Sequence, residues 1–323
     1  MKVVFYGSRG SYSTSTSPKR IEEIAKFTFS LIKKNPKANW TKIKKLFSEL
    51  DFGMSSSFSQ HTTCVELRSA SAPFPIFLDL GTGLSAAASD HKSGINNKLF
   101  QKEKGEVAFF LSHTHWDHII ALPTLNHIYK GENKFHFYGC HPNLERRVSK
   151  LFDRDFFPVP YSFVSPRFEF HTIKKHEVFK VGDLRVAAAP QSHPGTSYVY
   201  RFEETSKSFV FATDTDLANT FRTNYPKDFN IYSSADLLAL DAHYTHEDFV
   251  KAQDYGHPSI DMGVDFAVRH KVKHLILIHH NPNYNDRKLD QVLNRAYKYL
   301  HKKHGQRHPL MISLPFEGKI YTL

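Results

Sequence analysis

Apolar residues recur along this chain in two rhythms. Between residues 18 and 50, Ile21, Ile24, Phe27 and Leu31, then Trp40, Ile43, Leu46 and Phe47, return at three- and four-residue intervals or multiples of them, the spacing of one helix face. The stretch NPKAN interrupts them, so the pattern predicts a helical hairpin. Elsewhere the apolar runs are short. VVFYG opens the chain and passes into a Gly/Ser turn, and TCVELRS, PIFLDLGTG, EVAFFLS and KFHFYG follow as strands. Helical patterning in ALPTLNHIYKG and NLERRVSKLF gives way to the strand runs EVFKVGDLRVAAAP, SYVYRFEE, KSFVFATD and DLLALDAHY. Then VDFAVRHKVKHLILIHHNP reads as helix, loop and buried strand, DQVLNRAYKYLHKKH as a helix, and PLMISLPFEGKIYTL as a final pair of strands. A strand meander, a strand–helix alternation, and a rough repeat of both predict an α/β chain with two mixed sheets packed between helices, an αββα sandwich. No sequence repeat or low-complexity linker divides it. Residues 1–323 therefore read as a single domain with a basic helical insertion at about 18–50 and a serine-rich loop, MSSSFSQ, after it.

Composition narrows this picture in two respects. Hydrophobic residues make up 40% and Phe alone contributes 28, a globular composition with enough apolar surface for a large core. The two cysteines, Cys64 and Cys140, have no CxxC spacing and cannot form a disulfide framework. The opening apolar run is too short for a signal peptide, and no run approaches the ~18 residues of a membrane span. The expectation is a soluble, cytoplasmic protein. The net charge of +11 is concentrated, with nine Lys/Arg against three Glu in residues 18–50 and ten against two Asp in 269–307. Such a balance favours anionic partners, phosphate esters or nucleic acid, although lysine-rich helices are also ordinary solvated faces.

The chemistry is concentrated in FFLSHTHWDHIIALP, residues 109–123. Within six residues after an apolar strand stand His113, His115, Asp117 and His118, imidazoles and a carboxylate of the kind that suit zinc, iron or manganese. His113 and His115 can converge on one ion from a loop, and Asp117 and His118 can turn towards a second. Two neighbouring ions need about seven protein ligands, so the motif supplies only part of a site. Three further candidates end apolar strands in the same way: His193 after VAAAPQS, Asp214 in SFVFATD, and His279 in HLILIH.

Taken together, VVFYGSRGS, FLDLGTG, LSHTHWDH, SHPGTSYVYRFE, VFATDTD and HLILIHHNP resemble the metallo-β-lactamase superfamily over nearly the whole chain outside 18–58. The resemblance implies an αββα fold with metal at one sheet edge. It implies that His113, His115 and His193 hold one ion, that Asp117, His118 and His279 hold the other, and that Asp214 bridges. Asp79 of LDLGTG organises the loop beneath them. The segment DAHYTHEDFVKAQDYGHPSIDMGVDFAVRHKVKHLILIHH resembles the phosphodiesterase branch typified by tRNase Z, whose turn histidine, here His257 in YGHPS, lies over the ions and assists the leaving oxygen. The tRNase Z flexible arm and P-x-K-x-R-N loop are missing, and GSRGS, YTHEDF, GHPS and HHNP are closer to a bacterial branch related to cyclic-nucleotide phosphodiesterases.

The implied function is a metal-dependent phosphodiesterase with two divalent ions, zinc first and manganese or iron as alternatives. It would open a small cyclic phosphodiester, a 3′,5′-cyclic nucleotide, with His257 and Asp117 in catalytic roles. A tRNase Z-like ribonuclease acting on RNA and a non-catalytic nucleotide-binding relative are the competing readings. Three roles stay open for the hairpin at 18–50: capping the cleft, forming a homodimer, or decorating the surface. His61 and His243 fall in segments that should border the cleft, with a structural role favoured for both.

Overall fold

The computed structural model describes residues 1–48, 57–220, 230–252 and 255–323. The predicted hairpin's last two residues and the first three of the serine-rich loop, residues 54–56, lie outside them. Six strands come first: β1 Lys2–Gly7, β2 Cys64–Arg68, β3 Ile76–Leu78, β4 Glu106–Phe110, β5 Lys134–Gly139 and β6 Phe168–Thr172. The next seven are β7 Val178–Val181, β8 Leu184–Gln191, β9 Ser197–Glu204, β10 Lys207–Ala212, β11 Leu237–Asp241, β12 His274–Ile278 and β13 Met311–Ser313, and β14 Lys319–Thr322 closes the chain. They form two seven-stranded sheets, ordered β14-β1-β2-β3-β4-β5-β6 and β13-β12-β11-β10-β9-β8-β7. In each sheet an antiparallel meander passes into parallel strands, β3 to β6 in the first and β10 to β13 in the second.

The apolar runs explain the layering. In β4 both faces are buried, so EVAFF has no polar alternation. Phe110 faces the second sheet and meets Tyr200 and Phe202 edge-on at 5.3 and 5.2 Å. Phe109 points the other way, packing with Phe77, Phe135 and Phe137 in the layer that includes α3 (Gly83–Ser89) and α4 (Leu144–Ser149), numbered after α1 (Pro18–Lys34) and α2 (Trp40–Ser48). The second sheet's outer face packs on α5 (Ile260–Arg269) and α6 (Asp286–His304). The two-sheet sandwich flanked by helices is the predicted α/β architecture.

Three local readings are corrected. ALPTLNHIYKG forms two 3₁₀ turns, Leu122–Thr124 and Asn126–Tyr129, where the pattern predicted one helix; Pro123 lacks the N–H a continuing helix needs. The final two strands do not pair with each other. β13 lies parallel to β12, while β14 crosses to the other sheet and pairs with β1. β6 has no counterpart among the predicted elements, although FEFHT alternates aromatic and polar residues; it is a five-residue edge strand. The hairpin of α1 and α2 forms as read. Ser17 caps α1 by accepting from the Arg20 N–H, no residue of α1 is buried, and ion pairs Arg20–Asp286 and Arg287–Glu23 tie it to the start of α6.

Candidate metal centre

Parallel strands deliver their C-terminal ends to one edge of the sandwich, and the HTHWDH turn leaves β4 there. Asp79, directly after β3, sits in the left-handed region at φ 56°, a conformation that Asp tolerates better than most residues. From beneath the turn its carboxylate accepts from Ser112 N at 2.8 Å, from Ser112 Oγ at 2.7 Å and from His118 Nδ1 at 2.7 Å. Ser112 Oγ in turn lies 3.0 Å from His113 Nδ1. His193 Nδ1 donates to the Gly256 carbonyl at 3.2 Å. Each of these three rings therefore has Nδ1 engaged by the protein and presents Nε2.

What they present it to is Asp214, at φ 49° after β10. Its Oδ1 lies 3.7 Å from His113 Nε2 and 3.6 Å from His193 Nε2, while its Oδ2 lies 3.1 Å from His118 Nε2 and 3.3 Å from His279 Nε2. His115 joins the first group, its Nδ1 3.4 Å from His193 Nε2. Asp117 joins the second, its Oδ2 3.2 Å from both His118 Nε2 and His279 Nε2. All seven residues read from the sequence are thus brought together, as His113/His115/His193/Asp214 and Asp117/His118/His279, each set offering donor atoms within 4.8 Å of one another.

The electrostatics suit cations. Burial, with the neighbouring His118 adding to it, holds His113 well below the ordinary imidazole range, and burial also lowers His193 and His115; a neutral imidazole is the ligating form. Burial would raise Asp214 and Asp117, but the surrounding histidines, His118 foremost, hold both below the usual carboxylate range. His118 shows the reverse balance: burial opposes its charge, yet Asp117, Asp214 and Asp79 raise its proton affinity strongly. Among the described residues, the buried Nε2 atoms of His113 and His118 make no hydrogen bond. Buried nitrogens without hydrogen-bond partners, aimed at carboxylate oxygens, are a donor set that fits divalent cations.

Beside both groups stands His257. Its ring centroid lies 5.2 Å from that of His193 and 4.8 Å from that of His279. Its Nδ1 is 2.7 Å from Asp241 Oδ2. Burial would lower its pKa, but the Asp241 carboxylate outweighs burial and lifts it to about 9. Asp241 receives no role in the sequence reading, although it ends the apolar run LLALD as Asp214 ends SFVFATD. It is fully buried, and its Oδ1 lies 3.9 Å from His279 Nδ1. His243 lies within the same cluster as Asp241, His257 and His279: its Nδ1 donates to the His279 carbonyl at 2.8 Å and its ring stacks on His257 at 4.6 Å. His61 sits farther out, with Nδ1 3.2 Å from Thr82 Oγ1. Two contributions come from the GSRGS turn, whose residues the sequence reading gives no role in the site. The backbone N–H of Ser11 donates to Asp117 Oδ2 at 2.8 Å, and a Cβ on Gly10 would meet the His279 ring at 2.5 Å.

A cavity of about 940 Å³ opens next to the turn, sharing Thr114 and Trp116 with it and lined also by Arg146, Arg147, Lys150 and Phe156. Arg147 donates to Thr114 Oγ1 at 3.0 Å, which sets a guanidinium one residue from two of the candidate ligands. Trp116 and Phe156 are 68% and 78% exposed.

Residues 91–280 match the family described as Beta-lactamase superfamily domain. No curated protein matches the sequence closely. Among solved structures, yeast PDE1 is similar with a TM-score of 0.64 at 14% identity, covering 100% of this chain and 99% of its own. The short form of human tRNase Z gives 0.59 at 15% identity, with 100% and 99% covered. The metallo-β-lactamase fold protein YhfI from Bacillus subtilis gives 0.59 at 16% identity, with 99% of each covered. At these identities the likeness is one of fold, and it extends over the full sandwich, hairpin included. With the sequence match covering most of the residues between β3 and the end of β12, the chain belongs to the metallo-β-lactamase superfamily.

Proposed function

We propose that the chain is a metal-dependent phosphodiesterase that hydrolyses a small cyclic phosphodiester, a 3′,5′-cyclic nucleotide, at a centre of two divalent ions. His113, His115 and His193 would hold one ion and Asp117, His118 and His279 the other, with Asp214 offering an oxygen to each group. Zinc suits this donor set, and manganese or iron would also fit it. When bound, the two ions supply an activated water and offset charge on the phosphoryl oxygens.

The observation that carries the phosphodiester reading is the His257–Asp241 pair beside both ligand groups. Opening a phosphodiester adds water to phosphorus and breaks one P–O ester bond, and the departing oxygen must take a proton. Asp241 fixes Nδ1 of His257 and, against the opposing effect of burial, favours the protonated ring, which leaves Nε2–H as the proton to donate. Asp117, anchored by the Ser11 N–H, keeps its carboxylate turned to the ligand groups. The neighbouring cavity supports an anionic substrate: Arg146, Arg147 and Lys150 make its wall positive, and the exposed Trp116 offers a ring on which a base could stack.

The test is turnover by zinc- and manganese-loaded protein on cyclic mononucleotides, cyclic dinucleotides, bis(p-nitrophenyl) phosphate and a pre-tRNA. Preferred opening of a cyclic mononucleotide to its monophosphate is the expected outcome. Cleavage of the pre-tRNA alone would transfer the assignment to a ribonuclease, and tight nucleotide binding without turnover would make the chain a binding protein.

A further inference from the structure

Along the edge of the first sheet, on β4, β5 and β6, four polar side chains meet. Glu106 opens β4, His136 lies on β5, and Glu169 and His171 lie on β6. His136 and Glu169 are register partners across the parallel pair, as are Tyr138 and His171 two residues on, so all project on one face. Glu106 stands roughly 20 Å along β4 from His113 at about 3.3 Å per residue, and His136 and His171 lie level with Ala108 and Phe110. The group that His136 and His171 form with Glu169 shares no residue with the centre described above.

Their nitrogens and oxygens converge. His136 Nδ1 lies 3.2 Å from Glu169 Oε2 and 3.4 Å from His171 Nε2, and His136 Nε2 lies 3.2 Å from Glu106 Oε2. The other oxygen of Glu169, Oε1, is 3.9 Å from Lys134 Nζ. Phe74 stacks on His136 with centroids 4.7 Å apart, and Tyr138 stacks on His171 at 4.4 Å. Both imidazoles are therefore clamped in plane before anything binds.

A neutral imidazole has one N–H, and an ionised carboxylate only accepts. Glu106 takes the proton of His136 at Nε2. Nδ1 then turns a lone pair towards a carboxylate oxygen and a second imidazole nitrogen; either His171 donates an Nε2–H to it, or a cation sits among the three donors. An ion bonded at about 2.0–2.2 Å to tetrahedrally placed nitrogen and oxygen donors spaces them roughly 3.3–3.6 Å apart. The separations from Nδ1 are close to that. A carboxylate behind the ring is also the arrangement that fixes the tautomer of a metal-bound histidine.

We propose that His136, Glu169 and His171 form a separate divalent-cation site, zinc-like in its preference because two of its three donors are imidazoles, with Glu106 orienting His136 from behind. An ion there ties the edge strand β6 to β5. The competing occupant is a proton, either on His171 Nε2 and donated to His136 Nδ1, or as a second proton on His136 that makes an imidazolium between two glutamates.

The two occupants predict different metal counts. Untagged full-length protein, stripped by chelator and reloaded with zinc, should carry three equivalents by elemental analysis. Glu169→Gln and His171→Ala, both at partly exposed positions, should carry two and keep wild-type phosphodiesterase turnover. Glu106→Gln should keep the site but weaken zinc binding by about 10- to 100-fold in calorimetric titration. In an Asp214→Ala background, which strips the His113 centre, the extra equivalent should persist and should vanish on adding His171→Ala; this keeps the outcome separate from whether the His113 centre is a phosphodiesterase. A stoichiometry unchanged by Glu169→Gln and His171→Ala would overturn the site in favour of the proton.

Discussion

Asp214 divides its two oxygens between different histidine groups, so its removal should act on both ions at once. Asp214→Asn, which keeps the shape but replaces one acceptor oxygen by a donor, should lower occupancy of both positions of the His113 centre. His115→Ala should weaken one position more than the other; elemental analysis after graded chelation distinguishes the two patterns. His257 makes a different prediction, because it is assigned to the leaving oxygen and to neither ion. His257→Ala should lower turnover of a cyclic nucleotide by about 10²–10⁴-fold with both ions retained. The loss should be much smaller on bis(p-nitrophenyl) phosphate, whose nitrophenolate departs without a proton. An equal loss on both substrates would remove the acid role. Gly10 offers a steric test of the same centre: its missing Cβ leaves room for the His279 ring, and Gly10→Ala should weaken metal retention by displacing that ring while every ligand residue is kept.

At the scale of elements, the site depends on strands whose two faces are both buried. Phe110, fully buried on β4 two residues before Ser112, locks that strand against the second sheet. Phe110→Ala should destabilise the fold by about 3–5 kcal/mol in urea unfolding. Glu204 at the end of β9 makes a second tie between the sheets, accepting from Ser69 Oγ and from Ser71 N just beyond β2. The Ser69 hydrogen bond foremost lowers its carboxyl to about 2 from an ordinary 4.5. A carboxyl depressed on folding stabilises above its unfolded pKa and ceases to do so as pH falls through its folded one. The Glu204 contribution is thus full above pH 4.5 and lost as pH falls towards 2. Melting temperature measured against pH should decline less steeply over that window in Glu204→Gln than in the parent.

For the whole molecule, the ions should act as ligands of the folded state alone. Zinc in 100-fold excess over its dissociation constant should raise stability by about 2.7 kcal/mol per site, and chelation should lower the melting temperature correspondingly. How much of this was legible in the sequence follows from the range of each interaction. Helix and strand periodicity, the αββα order and the four ligands of HTHWDH are local patterns, and His193, Asp214 and His279 could be read because each follows an apolar run. Asp241 stands in the same context, at the carboxylate-bearing strand end before the YGHPS turn, but nothing local says that its carboxylate reaches His257, 16 residues on. Which strands neighbour one another, and hence that PLMISLPFEGKIYTL splits between two sheets, is decided by packing across the sandwich. The split of Asp214 between two histidine groups, the Ser11 N–H on Asp117 and the meeting of Glu106, His136, Glu169 and His171 depend on distances of a few ångströms between residues far apart in the chain. The sequence by itself determined which residue types were available and on which elements they stand. The tertiary structure alone decided which of their atoms face one another, because burial and strand register act between elements that share no local pattern.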